Sequence, residues 1–204
     1  MQRQNALLAA GVALIIILLV SAICPYDYPT WILEVAPVLI ALPVMAATYR
    51  RFPLTTLLYV LIFIHAVILI AGGTYTYARV PLGSWMQDML ALARNPYDKI
   101  GHFAQGFVPF FVAREILWRG GYLTSRRMTA FLSICAVMMV SSSYELIEWW
   151  AALIMGQGAD EFLGTQGDQW DTQADMFFAL LGAVVAMLTL SRLHDRQMAG
   201  LKRS

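Results

Sequence analysis

Apolar runs of about 20 residues, the length an α-helix needs to cross about 30 Å of hydrocarbon, recur along this chain and leave little else to build with. They fall at 6–24, 30–48, 54–72, 100–117, 128–150 and 172–191. Six helices fit into 204 residues only if most connections are short. The expected fold class is therefore all-α: one polytopic membrane domain over 1–204, with six transmembrane helices and no separate soluble domain. Composition points the same way, since 59% of residues are hydrophobic and 13% charged, against about 25% charged in soluble domains. The first run has Arg3 ahead of it, like a secretion signal. Its apolar stretch exceeds the 7 to about 15 residues of such a signal, and Ile23 before Cys24 is too large for a cleavage site, so a retained helix is expected. Cys24, near a helix end, and Cys135, in mid-span, would lie at different depths and are poorly placed to bridge.

Charge distribution gives an orientation. Of the Lys and Arg residues, Arg3, Arg50, Arg51, Arg114, Arg119, Arg126, Arg127, Arg192, Arg196, Lys202 and Arg203 lie at alternate ends of a six-span chain. Cytoplasmic connections carry the excess of Lys and Arg, so both termini are expected in the cytoplasm. The outer connections are then a short one around Asp27, a longer one over 73–98, and a Gly-rich stretch over 156–171 holding Asp160, Glu161, Asp168 and Asp171. Within 73–98, the pattern Trp85, Met86, Met89, Leu90 and Leu92 with Asp88 and Arg94 predicts a short amphipathic helix over 84–94 lying on the outer surface. A net charge of +1 gives no reason to expect nucleic acid as a partner. The bilayer itself is the expected partner.

Against this background Asp98, His102, Glu145, Glu148, Asp168, Asp171 and Asp175 stand out, at or just inside the ends of three apolar spans. A charged group deep in a bilayer costs about 2.5–3.5 kcal/mol on insertion scales, so several together require pairing, water or a bound cation. The inferred orientation puts all of them at outer helix ends. With Trp149 and Trp150 in the interfacial belt, a rise of about 1.5 Å per residue places Glu145 about 6–8 Å below it, with His102 and Asp175 each a turn inside.

Asp98, His102 and Gln105 follow i, i+4, i+7 and share one helix face. Gly101 and Gly106 would admit a neighbouring helix there, and Pro109 removes a hydrogen bond to the Gln105 carbonyl. Glu145 and Glu148, three residues apart, can point at one neighbour and repel unless a cation or proton lies between them. Asp175 lies one turn beyond Asp171, with Gly182 further along that face. Each has a plainer reading beside the functional one. Asp98 suits a helix start, Asp171 an N-cap and Asp168 a turn; Glu148 can face headgroup water, and His102 can be a neutral, hydrogen-bonded core residue. His65 is expected to hydrogen-bond between helices, Glu34 to join the polar cluster or contact Arg79 or Arg94, and His194 to sit solvated in a basic tail.

A His with several carboxylates forms a hard, oxygen-rich ligand set. Asp98, His102, Glu145, Glu148, Asp171 and Asp175 are the candidate ligands for a divalent cation: Zn²⁺ with one position open, or Mg²⁺, Mn²⁺ or Ca²⁺. His102, Glu145 and Asp175 are the candidate catalytic groups. The favoured function is a metal-dependent enzyme acting at the outer face on an envelope lipid or lipid-linked headgroup. A non-catalytic scaffold or accessory protein, and a small proton- or cation-coupled transporter, are the alternatives. The chain has no P-loop, dinucleotide fingerprint or nucleophile elbow.

The segments Asp98-Lys99-Ile100-Gly101-His102-Phe103-Ala104-Gln105-Gly106-Phe107, Tyr144-Glu145-Leu146-Ile147-Glu148-Trp149-Trp150 and Gly167-Asp168-Gln169-Trp170-Asp171-Thr172-Gln173-Ala174-Asp175-Met176 resemble the YjdF family of bacterial inner-membrane proteins. The likeness covers nearly the whole chain and is densest over 95–182. It implies a multi-pass protein of the bacterial inner membrane and no particular reaction. More distantly, Asp98, Lys99, His102, Phe103, Glu145, Asp175 and Gly182 are similar to the outline of VanZ-like membrane proteins, linked as a group to glycopeptide-antibiotic tolerance. Ala179 stands where that group usually has Asn, and Glu148 where Gln is common.

Overall fold

The computed structural model describes residues 2–155 and 165–201, so Asp160, Glu161, Lys202 and Arg203 lie outside the described residues. Among the described residues there are helices and turns and no strand: α1 (Gln2–Ser21), α2 (Tyr28–Thr48), α3 (Thr56–Tyr75), a 3₁₀ turn (Tyr77–Arg79), α4 (Pro81–Leu90), α5 (Tyr97–Arg119), α6 (Arg126–Met155), α7 (Asp171–Thr189) and α8 (Ser191–Leu201). Five of them, α1, α2, α3, α6 and α7, are long and apolar enough to cross a membrane. The protein is an all-α polytopic membrane protein. The predicted fourth span corresponds to α5, whose 23 residues reach about 34 Å at 1.5 Å each. Asp98, Lys99, Arg114, Glu115 and Arg119 lie toward its ends and lower its mean hydropathy.

Helix ends follow local chemistry. Asp27 caps α2, accepting from the Thr30 N–H at 2.8 Å and its hydroxyl at 2.7 Å. The short amphipathic helix runs from Pro81 to Leu90 instead of over 84–94. Pro81 presets φ at its first turn, and Ala91, at φ 50°, takes the left-handed conformation that stops it. Leu82, Trp85, Met89 and Leu90 on this helix are exposed. The tail beyond the last span is helix α8, and His194 within it is fully buried.

Burial is inverted relative to a soluble protein. Ile16, Leu19 and Val20 on α1, Leu39 and Ile40 on α2, Phe131, Met139 and Leu153 on α6, and Phe177 and Leu188 on α7 face outward, as lipid-facing surfaces should. Glu34, Asn95, His102, Arg114, Glu115, Glu145, Asp171, Asp175 and His194 are buried. The two cysteines are free and exposed.

The chain forms two compact units, one built on α1, α2, most of α3 and α4, the other on Thr55–Leu58 with α5 to α8. In the first, Leu14, Leu18, Val35, Val38, Ala66, Leu69 and Ile70 form a core with Trp31 and Phe63 against it. Trp31 donates to the Ser21 hydroxyl at 3.0 Å, and the Arg79 guanidinium lies 4.1 Å from the Tyr26 ring centroid. Glu34 is buried within this unit, where a Cβ on Gly73 would lie 3.0 Å from its own Cβ.

In the second unit α6 and α7 pack along each other, and α5 meets α7 backbone to backbone. A Cβ on Gly106 would lie 2.6 Å from the Ala179 carbonyl carbon, and one on Gly182 would lie 3.0 Å from that of Phe103. Each helix thus offers a glycine to a carbonyl of the other, the small-residue contact that brings membrane helices closest. Ala179 at this crossing is fully buried.

Candidate functional site

The crossing of α5 and α7 sets polar side chains against one another. Asp98 and His102, one turn apart on α5, approach with Oδ1 3.4 Å from Nε2. From α7, Asp175 brings Oδ2 to 3.9 Å from the same Nε2. The other ring nitrogen faces away: Nδ1 lies 2.9 Å from Gln105 Oε1 and 3.9 Å from Glu145 Oε1 on α6. The side chains of His102, Glu145 and Asp175 are 9%, 7% and 5% exposed, and that of Asp98 is 13%.

One ligand atom each from Asp98, His102 and Asp175 lie within 4.8 Å of one another, so this buried trio can hold a metal ion. Zinc bonds of about 2.0–2.2 Å arranged tetrahedrally separate neighbouring ligand atoms by about 3.4 Å. The 3.4 Å from His102 to Asp98 meets that spacing and the 3.9 Å to Asp175 slightly exceeds it; both are longer than the 2.7–3.2 Å typical of hydrogen bonds. Two buried oxygens at the cluster, Glu145 Oε1 and Asp175 Oδ1, have no hydrogen-bond partner among the described residues. A buried carboxylate left charged and unsatisfied costs several kcal/mol, so a bound proton or a cation is what would neutralise the carboxylates here.

The six candidate ligands divide. Asp98, His102 and Asp175 converge, and Glu145 faces the opposite edge of the imidazole. Asp171 is buried one turn before Asp175, and Glu148 is half-buried; neither belongs to the converging trio. The cap assignments need one correction. Asp171 is the first residue of α7, and Trp170 holds the N-cap position with no side-chain cap. The turn before it is already closed by Asp168, whose Oδ1 accepts from the Trp170 N–H at 2.9 Å and whose carbonyl accepts from the Asp171 N–H at 3.4 Å. Asp168 is thus the turn residue expected of it.

A second buried polar cluster occupies the other end of α5, and there the solvated-tail reading of His194 is wrong. Glu115 accepts from the Thr55 N–H at 3.0 Å, the Thr55 hydroxyl at 2.9 Å and Arg119. His194 Nε2 lies 2.9 Å from Glu115 Oε2, and its Nδ1 lies 3.0 Å from Arg114 Nη1. Because guanidinium can only donate, Nδ1 is the acceptor and Nε2–H donates to Glu115. Asp195 pairs with Arg114 at 2.7 Å and with Arg126 at 2.8 Å. Every acidic group here has a cationic or N–H partner, so this cluster fastens α8 to α5. The i, i+4 spacing of Glu115 and Arg119 was the only sign of it in the sequence.

Two comparisons bear on this chain. Residues 6–196 match the family model described as "Predicted membrane protein (DUF2238)". The chain is also 59% identical over 189 residues to the inner membrane protein YjdF of Escherichia coli (strain K12), covering 93% of this chain and 90% of that protein. No solved structure matches. The chain belongs to the DUF2238 family of membrane proteins.

Proposed function

We propose that this member of the DUF2238 family is a six-span inner-membrane protein, with α5 as its additional span and both termini cytoplasmic, that holds one divalent cation between Asp98, His102 and Asp175. Zinc is the best fit, ahead of magnesium or manganese, because a single imidazole with two carboxylates supplies three ligands and leaves a fourth position for water. The observation that carries this reading is the pairing of a converging trio with two buried, unpartnered carboxylate oxygens, Asp175 Oδ1 and Glu145 Oε1. The backbone contact of Gly106 and Gly182 supports it further. Helices already held by backbone packing have little need of a costly buried polar clamp, which weakens the case for a pure scaffold.

At outer headgroup depth, a metal-bound water would meet an ester of an envelope lipid or of a lipid-linked headgroup. Glu145 faces the Nδ1 edge of His102, away from the ion, so it would not join the ion's ligands and would take the proton of that water only through an intervening water. Hydroxide would then add to the ester carbonyl, the acyl C–O bond would break, and the proton would pass to the departing alcohol. The test is metal analysis of protein purified without chelator, with His102→Ala and Asp175→Asn beside it. One equivalent of zinc in the parent and none in the variants is expected. A parent protein that carries no metal and takes up none on titration with Zn²⁺, Mg²⁺ or Mn²⁺ overturns the reading.

A further inference from the structure

Given a cation at Asp98, His102 and Asp175, which is the reading argued above, we propose that Gln105 is the positioning residue that fixes the imidazole in its metal-binding tautomer. A neutral imidazole carries one N–H and one lone pair, and its partners decide which nitrogen has which. Gln105 presents its amide oxygen to Nδ1 at 2.9 Å. An amide oxygen only accepts, so Nδ1 bears the proton and Nε2 keeps its lone pair. That lone pair points toward Asp98 Oδ1 at 3.4 Å and Asp175 Oδ2 at 3.9 Å.

The consequence is three acceptors facing one another with no hydrogen between them. With the ring neutral a cation resolves this; a direct hydrogen bond from His102 to either carboxylate would need the opposite tautomer or a second proton on the ring. The other acceptor near Nδ1, Glu145 Oε1, is 3.9 Å away and beyond hydrogen-bond reach. Gln105 therefore carries the orienting task alone among the described partners of that nitrogen. Helix geometry places it: Gln105 is three residues after His102 and Asp98 four before, so one face of α5 holds the ring from both edges. Metal-bound histidines nearly always donate their second N–H to such a partner, and losing it weakens metal affinity about 10–100-fold.

The experiment titrates Zn²⁺, and Co²⁺ as a spectroscopic probe, into the full-length detergent-solubilised protein stripped of metal. Gln105→Met keeps the side-chain volume and removes the strong acceptor. Gln105→Glu keeps the acceptor and makes it more basic. Zinc affinity about 10–100-fold weaker in Gln105→Met, with an altered Co²⁺ ligand-field spectrum and an unchanged melting temperature of the metal-free protein, is the expected result. Gln105→Glu should bind at least as tightly as the parent. If the parent binds zinc and both variants match it in affinity and spectrum, the role given to Gln105 is wrong and the metal site stands. If the parent binds no more metal than His102→Ala, the metal site itself falls, and Gln105 with it. Should Gln105→Met fail to fold, weaker binding in Gln105→Glu would by itself overturn the assignment.

Discussion

Substituting Gly106 by Ala tests the link between helix packing and the site. The added Cβ would lie 2.6 Å from the Ala179 carbonyl carbon and 2.9 Å from its Cα, where non-bonded carbons prefer about 3.5–4.0 Å. Both atoms are backbone, so no side chain can turn aside, and α5 and α7 must part by about 1 Å. Overpacking of this kind costs about 1–3 kcal/mol. For the site the shift matters more. His102 Nε2 and Asp175 Oδ2 would move from 3.9 Å to nearly 5 Å, whereas two zinc bonds of about 2.0–2.2 Å span at most about 4.3 Å. Asp175 would then be lost as a ligand, and zinc affinity should fall beyond the about 10–100-fold that outer-shell partners command. Thermal unfolding in detergent reads the first effect and zinc titration of the stripped protein reads the second. Gly182→Ala, pressing on the Phe103 carbonyl from the other side, should behave alike. Both variants melting with the parent and binding zinc as tightly would refute the close crossing as the determinant of the site.

Three further outcomes are expected. With zinc at about 100 times its dissociation constant, binding adds about 2.7 kcal/mol, so EDTA should lower the melting temperature of the parent by about 5–10 °C and leave Asp175→Asn unmoved; equal responses would remove Asp175 from the ligand set. Glu115→Gln takes a fully buried carboxylate from Thr55, Arg119 and His194, and should cost about 3–5 kcal/mol by thermal unfolding, as breaking buried pairs does; a loss under about 1 kcal/mol would show that the cluster is dispensable. Cys24 and Cys135 are both exposed, but Cys135 lies within α6 on a lipid-facing stretch. In intact inner membranes an impermeant maleimide should label Cys24 from the outer side and leave Cys135 unlabelled, and labelling of Cys24 only from the cytoplasmic side would reverse the orientation.

The sequence alone determined the fold class, because hydrocarbon admits so few solutions: runs of 18 or more apolar residues become helices, and the chain has little else. It also singled out His102, Glu145 and Asp175, since ionisable groups inside such runs are conspicuous. Their pairing was not legible there. Helical periodicity relates Asp98, His102 and Gln105 within α5, yet nothing in it says which edge of the imidazole meets α6 and which meets α7. The structure decided that Asp98 and Asp175 share Nε2 while Glu145 faces Nδ1, and the cause is the α5–α7 approach through Gly106 and Gly182. Likewise, a His in a stretch rich in Arg reads as solvated. Only the return of α8 onto α5 shows His194 enclosed between Arg114 and Glu115. Local composition sets what each segment can be; which charges meet depends on contacts across as many as 81 residues of chain, which no local pattern encodes.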